Sequence, residues 1–170
     1  MLSILTISGC ATAPATTEGK IDIRKEAALA LANAKTNDPT LTDVINKAAG
    51  YAVFPNVGKG AIGIGGAYGK GVLYEHDLVV GYCDLSQATI GLQLGGQAYS
   101  EIIAFENWNA VHTFKEGNFT FDAQATAVAL KSGSGTNATY RNGVVVFTMD
   151  ETGLMYEASV GGQKFSYQAK

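Results

Sequence analysis

The sequence predicts an α+β fold in which β-structure dominates: a glycine-rich antiparallel sheet, barrel- or sandwich-like, with N-terminal helices packed against it. Three observations predict this. The long run of strong helix formers lies within the first 50 residues. From Gly50 onward they give way to glycine, β-branched residues and aromatics, with apolar side chains recurring at a period of two. Glycine supplies 21 of the 170 residues, close to twice its average share, while charged residues at 16% fall well below the usual quarter. With 46% hydrophobic residues, a chain of this length suits one domain with a core of its own.

The helical part is read first. Residues 20–36 centre on Glu26-Ala-Ala-Leu-Ala-Leu-Ala-Asn-Ala34 and form one helix. Asp38-Pro39-Thr40 breaks the chain, and Thr40 or Thr42 caps a second short helix to about Ala49. Strands follow. Residues 88–94 place apolar groups on even positions and Gln87, Thr89, Gly91 and Gln93 on odd ones; residues 119–127 reverse the phase. Residues 144–149, 154–160 and 164–168 complete the strand set, with turns at Asn142-Gly143 and Gly161-Gly162. Glu75-His76-Asp77 is read as a turn and residues 107–115 as a short helix between strands. Cys83, inside the apolar run from Leu78, is read as a buried structural thiol.

Seven of the glycines fall in residues 58–71. Gly58-Lys-Gly60-Ala-Ile-Gly63 matches GxGxxG in form, but a dinucleotide fingerprint needs a helix directly afterwards. Gly65, Gly66, Gly69 and Gly71 follow instead, each costing a helix about 1 kcal/mol. No Gly-Lys-Ser/Thr phosphate loop occurs. A strand fits better: odd positions 61–71 are all Ala or Gly, while even positions carry Ile62, Ile64, Tyr68, Lys70, Val72 and Tyr74. One face therefore lacks side chains, for close packing of a backbone or helix or for a sharp bend of the sheet. The first helix either packs over that bare face or turns to a membrane; both readings stay open.

The start, Met1 to Cys10, is apolar but too short to span a bilayer. It reads as the tail of a secretory signal peptide without its basic region, and Ile7-Ser8-Gly9-Cys10 resembles a bacterial lipobox. Residues 1–9 are then a signal remnant, and 10–19, Ala/Thr/Pro-rich, a flexible tether lipidated at Cys10. Two or three acyl chains hold a protein stably on a membrane, at about 0.8 kcal/mol per buried methylene. Ala11 rather than Asp after the cysteine points to the periplasmic face of the outer membrane in a bacterial envelope.

Residues 48–74, from Ala48-Ala-Gly-Tyr-Ala-Val-Phe-Pro-Asn-Val-Gly through the glycine run to Tyr74, resemble the opening of the SYLF domain. The likeness continues through 88–105 and Gly117-Asn-Phe-Thr-Phe-Asp-Ala-Gln-Ala-Thr-Ala127, and closes on Gly153–Gly162. It covers about residues 25–168, so 20–170 is read as a single SYLF-like domain. The resemblance implies a β-dominated domain with N-terminal helices that binds membrane lipids, and it implies no enzymatic activity and no cofactor. Eukaryotic members bind phosphoinositides and actin alongside SH3 or FYVE domains. This chain lacks such domains, so only a surface for anionic headgroups is carried over.

Charge distribution supplies the candidate residues. The net charge is −3, which argues against a nucleic-acid partner. Residues 44–74 nevertheless hold Lys47, Lys59 and Lys70 with no acid, whereas 75–130 hold seven acids and one lysine. Lys59 and Lys70 stand between glycines, and Gly58 and Gly60 leave backbone N–H groups open to an anion. On the first helix Lys20, Arg24 and Lys35 fall within about 60° of one another. The lipid- or anion-binding candidates are therefore Lys59, Lys70, Lys47, Gly58, Gly60, Arg24 and Lys20. Two histidines and two cysteines make no metal-ligand spacing, and Glu101 and Glu106 make no acid/base pair. The expected function is a lipid-anchored envelope protein whose non-catalytic module contacts anionic lipid headgroups or another phosphorylated ligand. The alternative is a structural or adaptor lipoprotein that recognises a protein partner.

Overall fold

A computed structural model describes residues 14–58, 66–88, 98–117, 119–120, 128–129, 133–150 and 162–170. Helix α1 spans Thr17–Asn37, opened by Thr16, whose hydroxyl accepts the Gly19 N–H at 3.1 Å. Helix α2 is Leu41–Lys47 and helix α3 is Trp108–Lys115, the latter capped by the Asn107 side chain on the Ala110 N–H. The strands are β1 (Gly50–Gly58), β2 (Gly66–Glu75), β3 (Leu78–Ala88), β4 (Tyr99–Phe105), β5 (Val128–Ala129), β6 (Val144–Asp150) and β7 (Gln163–Ala169). They pair in the order β5-β6-β4-β1-β2-β3-β7. Every pairing is antiparallel except that of the two-residue β5, which runs parallel to β6. Among the described residues the order ends on β5 and β7, with only a single bridge from Thr120 to Lys164 beyond β7, so the sheet is open and the architecture sandwich-like rather than a barrel.

The predicted turns at 75–77 and 142–143 are in place, while Gly161 of the Gly161-Gly162 turn lies outside the described residues. His76 and Asp77 close the β2–β3 hairpin with φ of 49° and 61°, and Asn142-Gly143 (51° and 78°) closes a two-residue turn between Arg141 and Val144. Predicted strands 119–127 and 154–160, and the part of 88–94 beyond Ala88, fall largely or wholly outside the described residues.

The sheet buries both faces. Over one face lie α1 and α2, with Ile23, Ala27, Ala30 and Ala34 against Val53, Val72, Ile102 and Phe147. Three of the four α1 contacts are alanines, which lets the helix axis approach the strands closely. The other face is concave. Flat neighbouring strands about 4.8 Å apart would set β4 and β7, four steps away, about 19 Å from each other. Yet Gln163 of β7 hydrogen-bonds Glu101 of β4 at 2.9 Å, and the Phe165 ring of β7 sits 5.8 Å from Phe54 of β1. The sheet has curled until its far strands touch. Phe105, Phe114 and Phe119 fill the hollow with Phe165, at ring separations of 5.0 to 6.4 Å.

This curl accounts for the described part of the bare face; its positions 61, 63 and 65 lie outside the described residues. Ala67, Gly69, Gly71 and Leu73 all point into the hollow. A Cβ at Gly71 would stand 2.6 Å from the Phe54 ring, and one at Gly69 2.8 Å from Val57. Of the two uses open to a side-chain-free face, the sheet uses it for the bend and for the Phe54 ring. The helix does not pack there: α1 lies on the opposite face, over Val72 and Tyr74, because the even positions carry the apolar surface it needs. A register shift at Phe54-Pro55-Asn56, where proline cannot donate to the ladder, turns both Phe54 and Val57 inward. Cys83 is fully buried in the same hollow, where burial pushes its thiol well above the ordinary value.

Candidate functional site

The basic candidates are held by α1 and the face of the sheet beneath it. Lys20 lies in the first turns of α1 with its ammonium 5.2 Å from the centre of the Tyr82 ring. Arg24, one turn on, donates from Nε to the Lys20 carbonyl at 3.1 Å. Beneath them Tyr51 and Tyr74 stack at 4.9 Å, and Tyr51 donates to Asp77 at 2.7 Å. Burial pushes the Tyr74 hydroxyl above its usual range, and the positive charge of Arg24 opposes that shift. Lys35 closes the row: Lys20, Arg24 and Lys35 are each half-buried, about 80° around the helix from its alanine stripe.

Lys70 shares this face of the sheet but not this place. It sits four residues before Tyr74, about 13 Å along β2. Its register partners are Asn56 and Asp84. Asp84 is itself buried and accepts from Tyr68 at 2.5 Å and Ser166 at 3.3 Å. Lys70 thus faces a carboxylate from β3 across the ladder.

Lys47 is exposed on the last turn of α2 and lines a cleft of about 330 Å³ with Asp43, Thr136 and Tyr140. That cleft owes its shape to Asp38, which accepts from Thr40 N, Thr40 Oγ1, Gly133 N and Gly135 N at 2.5 to 3.1 Å. Gly58 ends β1 opposite Tyr68, and a Cβ there would meet only Ala98 and Asn56 at ordinary distances of 3.5 Å or more. Nothing steric reserves that position for glycine. Cys10, Lys59 and Gly60 lie outside the described residues. The structure therefore brings Lys20 and Arg24 together, and sets Lys70, Lys47 and Gly58 apart from them.

One constellation is missed by the sequence reading. Gln87, expected on the polar face of its strand, is buried inside the hollow with Tyr99, Glu101 and Gln163. Tyr99 donates to Gln87 at 3.2 Å, and Gln163 Nε2 reaches Glu101 Oε2 at 2.9 Å and Gln87 Oε1 at 3.3 Å. The available signal was the lone acid in the apolar run 99–105, which alternation alone does not assign to a face. Burial raises the Glu101 carboxyl to about 7, against hydrogen bonds from Gln163 and Tyr99 that lower it. Among the described residues no three His, Cys, Asp or Glu side chains gather as a metal site. No described helix is long and apolar enough to cross a membrane.

The family described as Las17-binding protein actin regulator matches residues 86–170. A curated relative, beta cell expansion factor A of Aeromonas veronii, is 26% identical over 149 residues. The match takes in 87% of this chain and 57% of the relative, so the chain spans little more than half that protein's length.

Proposed function

The chain belongs to the Las17-binding protein actin regulator family, whose domain is the SYLF domain, and from that premise we propose a non-catalytic lipid-binding module of a bacterial envelope. In this reading acylation of Cys10 anchors the chain, and the Lys20–Arg24–Lys35 flank of α1 contacts anionic headgroups. The observation that carries it is the position of that flank. Helix α1 begins at Thr17, seven residues after Cys10, so the chain between them can reach at most about 25 Å. An acylated Cys10 would hold Lys20 and Arg24 close to the leaflet. Each basic residue near an anionic surface contributes about 1 kcal/mol. Ile21 and Leu29, 38% and 65% exposed, add apolar surface on the outer side of the same helix.

Flotation of a chain starting at Pro14, which keeps the α1 cap, tests the headgroup reading without the anchor. Binding to vesicles containing anionic lipid but not to purely zwitterionic ones is expected, weakening with salt. Changing Lys20, Arg24 and Lys35 to Gln should weaken binding about 100-fold, the equivalent of about 3 kcal/mol. Lys70→Gln, opposite Asp84, should change it little. Binding indifferent to lipid charge, or to the triple change, refutes the reading; release by inorganic phosphate would assign the flank to a soluble phosphorylated ligand. A partner-recognising adaptor is the second reading. It is favoured by Trp108 and Leu78, 46% and 69% exposed, with the Trp108 ring 5.6 Å from His76 at the tip of the β2–β3 hairpin.

A further inference from the structure

We infer that Glu101 and Gln163 form a proton-binding clasp, closed by a single proton on Glu101, that fastens β7 across the hollow to β4. Glu101 and Gln163 are both fully buried. They already share one hydrogen bond, from Gln163 Nε2 to Glu101 Oε2 at 2.9 Å. Three buried side-chain oxygens among the described residues lack a hydrogen-bond donor: Glu75 Oε1, Glu101 Oε1 and Gln163 Oε1. The first has the Lys115 ammonium 2.5 Å away. The other two belong to this one acid–amide pair. Both are acceptors, so while Glu101 is a carboxylate neither can serve the other.

A proton taken from solvent onto Glu101 Oε1 resolves both at once. The new O–H donates to Gln163 Oε1, the amide N–H continues to donate to Oε2, and the pair becomes a doubly bonded acid–amide ring. The same proton removes a charge from a site with no solvent. The described groups around it offer no other neutralisation. Tyr99 on β4, Gln87 on β3 and Gln163 on β7 face the carboxyl; Phe54 of β1 and Thr148 of β6 are its register neighbours. Among the described residues no cation contributes to its proton affinity: burial raises it, and the hydrogen bonds from Gln163 and Tyr99 act the other way. The carboxyl therefore titrates at about 7.

The clasp joins strands four places apart, so its state reports on the curl of the whole sheet. The sign follows from linkage. A carboxyl raised from 4.5 to about 7 by folding holds its proton more tightly in the native state. That contribution is complete below pH 4.5 and is lost as pH rises toward 7.

Thermal unfolding of the full chain between pH 5 and 8.5 tests this, with Glu101→Gln as the comparison. The wild-type midpoint is expected to fall by roughly 5–10 °C more than that of the variant over this range. The Gln side chain carries the donor permanently, so its own profile should be flat and should match the wild type at pH 5. Equal slopes for the two proteins overturn the inference. If Glu101→Gln does not fold, carbon-13 NMR of the Glu carboxyls in the wild type decides it. A resonance titrating near 7 supports the clasp, and all carboxyls titrating near 4.5 refute it. Added potassium, calcium or magnesium that raises the wild-type midpoint at pH 8.5 but not that of Glu101→Gln would also overturn it, placing a metal ion where the proton is put.

Discussion

Gly71→Ala tests whether the glycine run exists to let the sheet curl. The added Cβ would stand 2.6 and 2.8 Å from two atoms of the Phe54 ring and 2.8 Å from the Val53 carbonyl oxygen. The carbonyl belongs to the β1 backbone, and the ring is held from behind by Phe165 at 5.8 Å, so neither can retreat freely. Inserting one methyl group into such a core costs about 1–3 kcal/mol. Removing a glycine from the unfolded chain returns about 0.4–1 kcal/mol, leaving a net loss of about 1–2 kcal/mol. Gly58→Ala is the control from the same run, because its Cβ meets nothing closer than 3.5 Å and should be neutral or slightly stabilising. Urea unfolding with a shared m-value measures both, and in heat the difference should be about 2–8 °C. If the two alanine variants shift alike, the glycines are not placed by the concave face, and the packing account is wrong.

Two further outcomes follow from other parts of the chain. Asp38→Ala leaves the Gly133 and Gly135 N–H groups without their acceptor, and should cost about 3 kcal/mol in urea unfolding. Burial pushes the Asp38 carboxyl up, but bonds from Thr40, Gly135 and Gly133 outweigh it and hold the group below its ordinary value. Its contribution is therefore present above the unfolded value and lost as pH falls through the folded one. The wild type should lose stability there and Asp38→Ala should not. Cys10→Ser should move the full chain from the membrane to the soluble fraction of cells, and continued membrane association would refute acylation as the anchor.

How far the sequence could be read depended on how local each signal was. Helices α1, α2 and α3 and the turns at 76–77 and 142–143 follow from helix formers, the Asp38-Pro39 break and polar or Asn-Gly turn residues within a few positions, although Thr40 opens α2 without the side-chain cap bond expected of it. Each was legible for that reason. The bare face of residues 61–71 is legible as a pattern, but which neighbour meets it at Gly71 is not. That neighbour, Phe54, lies on the adjacent strand beyond a bulge at Pro55, and a bulge changes which residues point inward without changing composition. Gln87 was assigned to the wrong side because alternation was taken as apolar-in and polar-out, and it is buried against partners 12 and 76 positions away.

The basic segment illustrates the same limit for function. Lys47, Lys59 and Lys70 are neighbours in a linear charge count, yet Lys47 projects from α2 beside Tyr140 while Lys70 stands opposite Asp84. Charges clustered in sequence form a site only if the backbone between them returns to one place, and an extended β-strand carries them apart at about 3.3 Å per residue. On a helix the rule reverses. Lys20, Arg24 and Lys35 span sixteen positions, yet 3.6 residues per turn returns them to a single flank. Among the described candidates Lys20, Arg24 and Lys35 are the ones that share one flank, and that is why the test of lipid binding is set on α1.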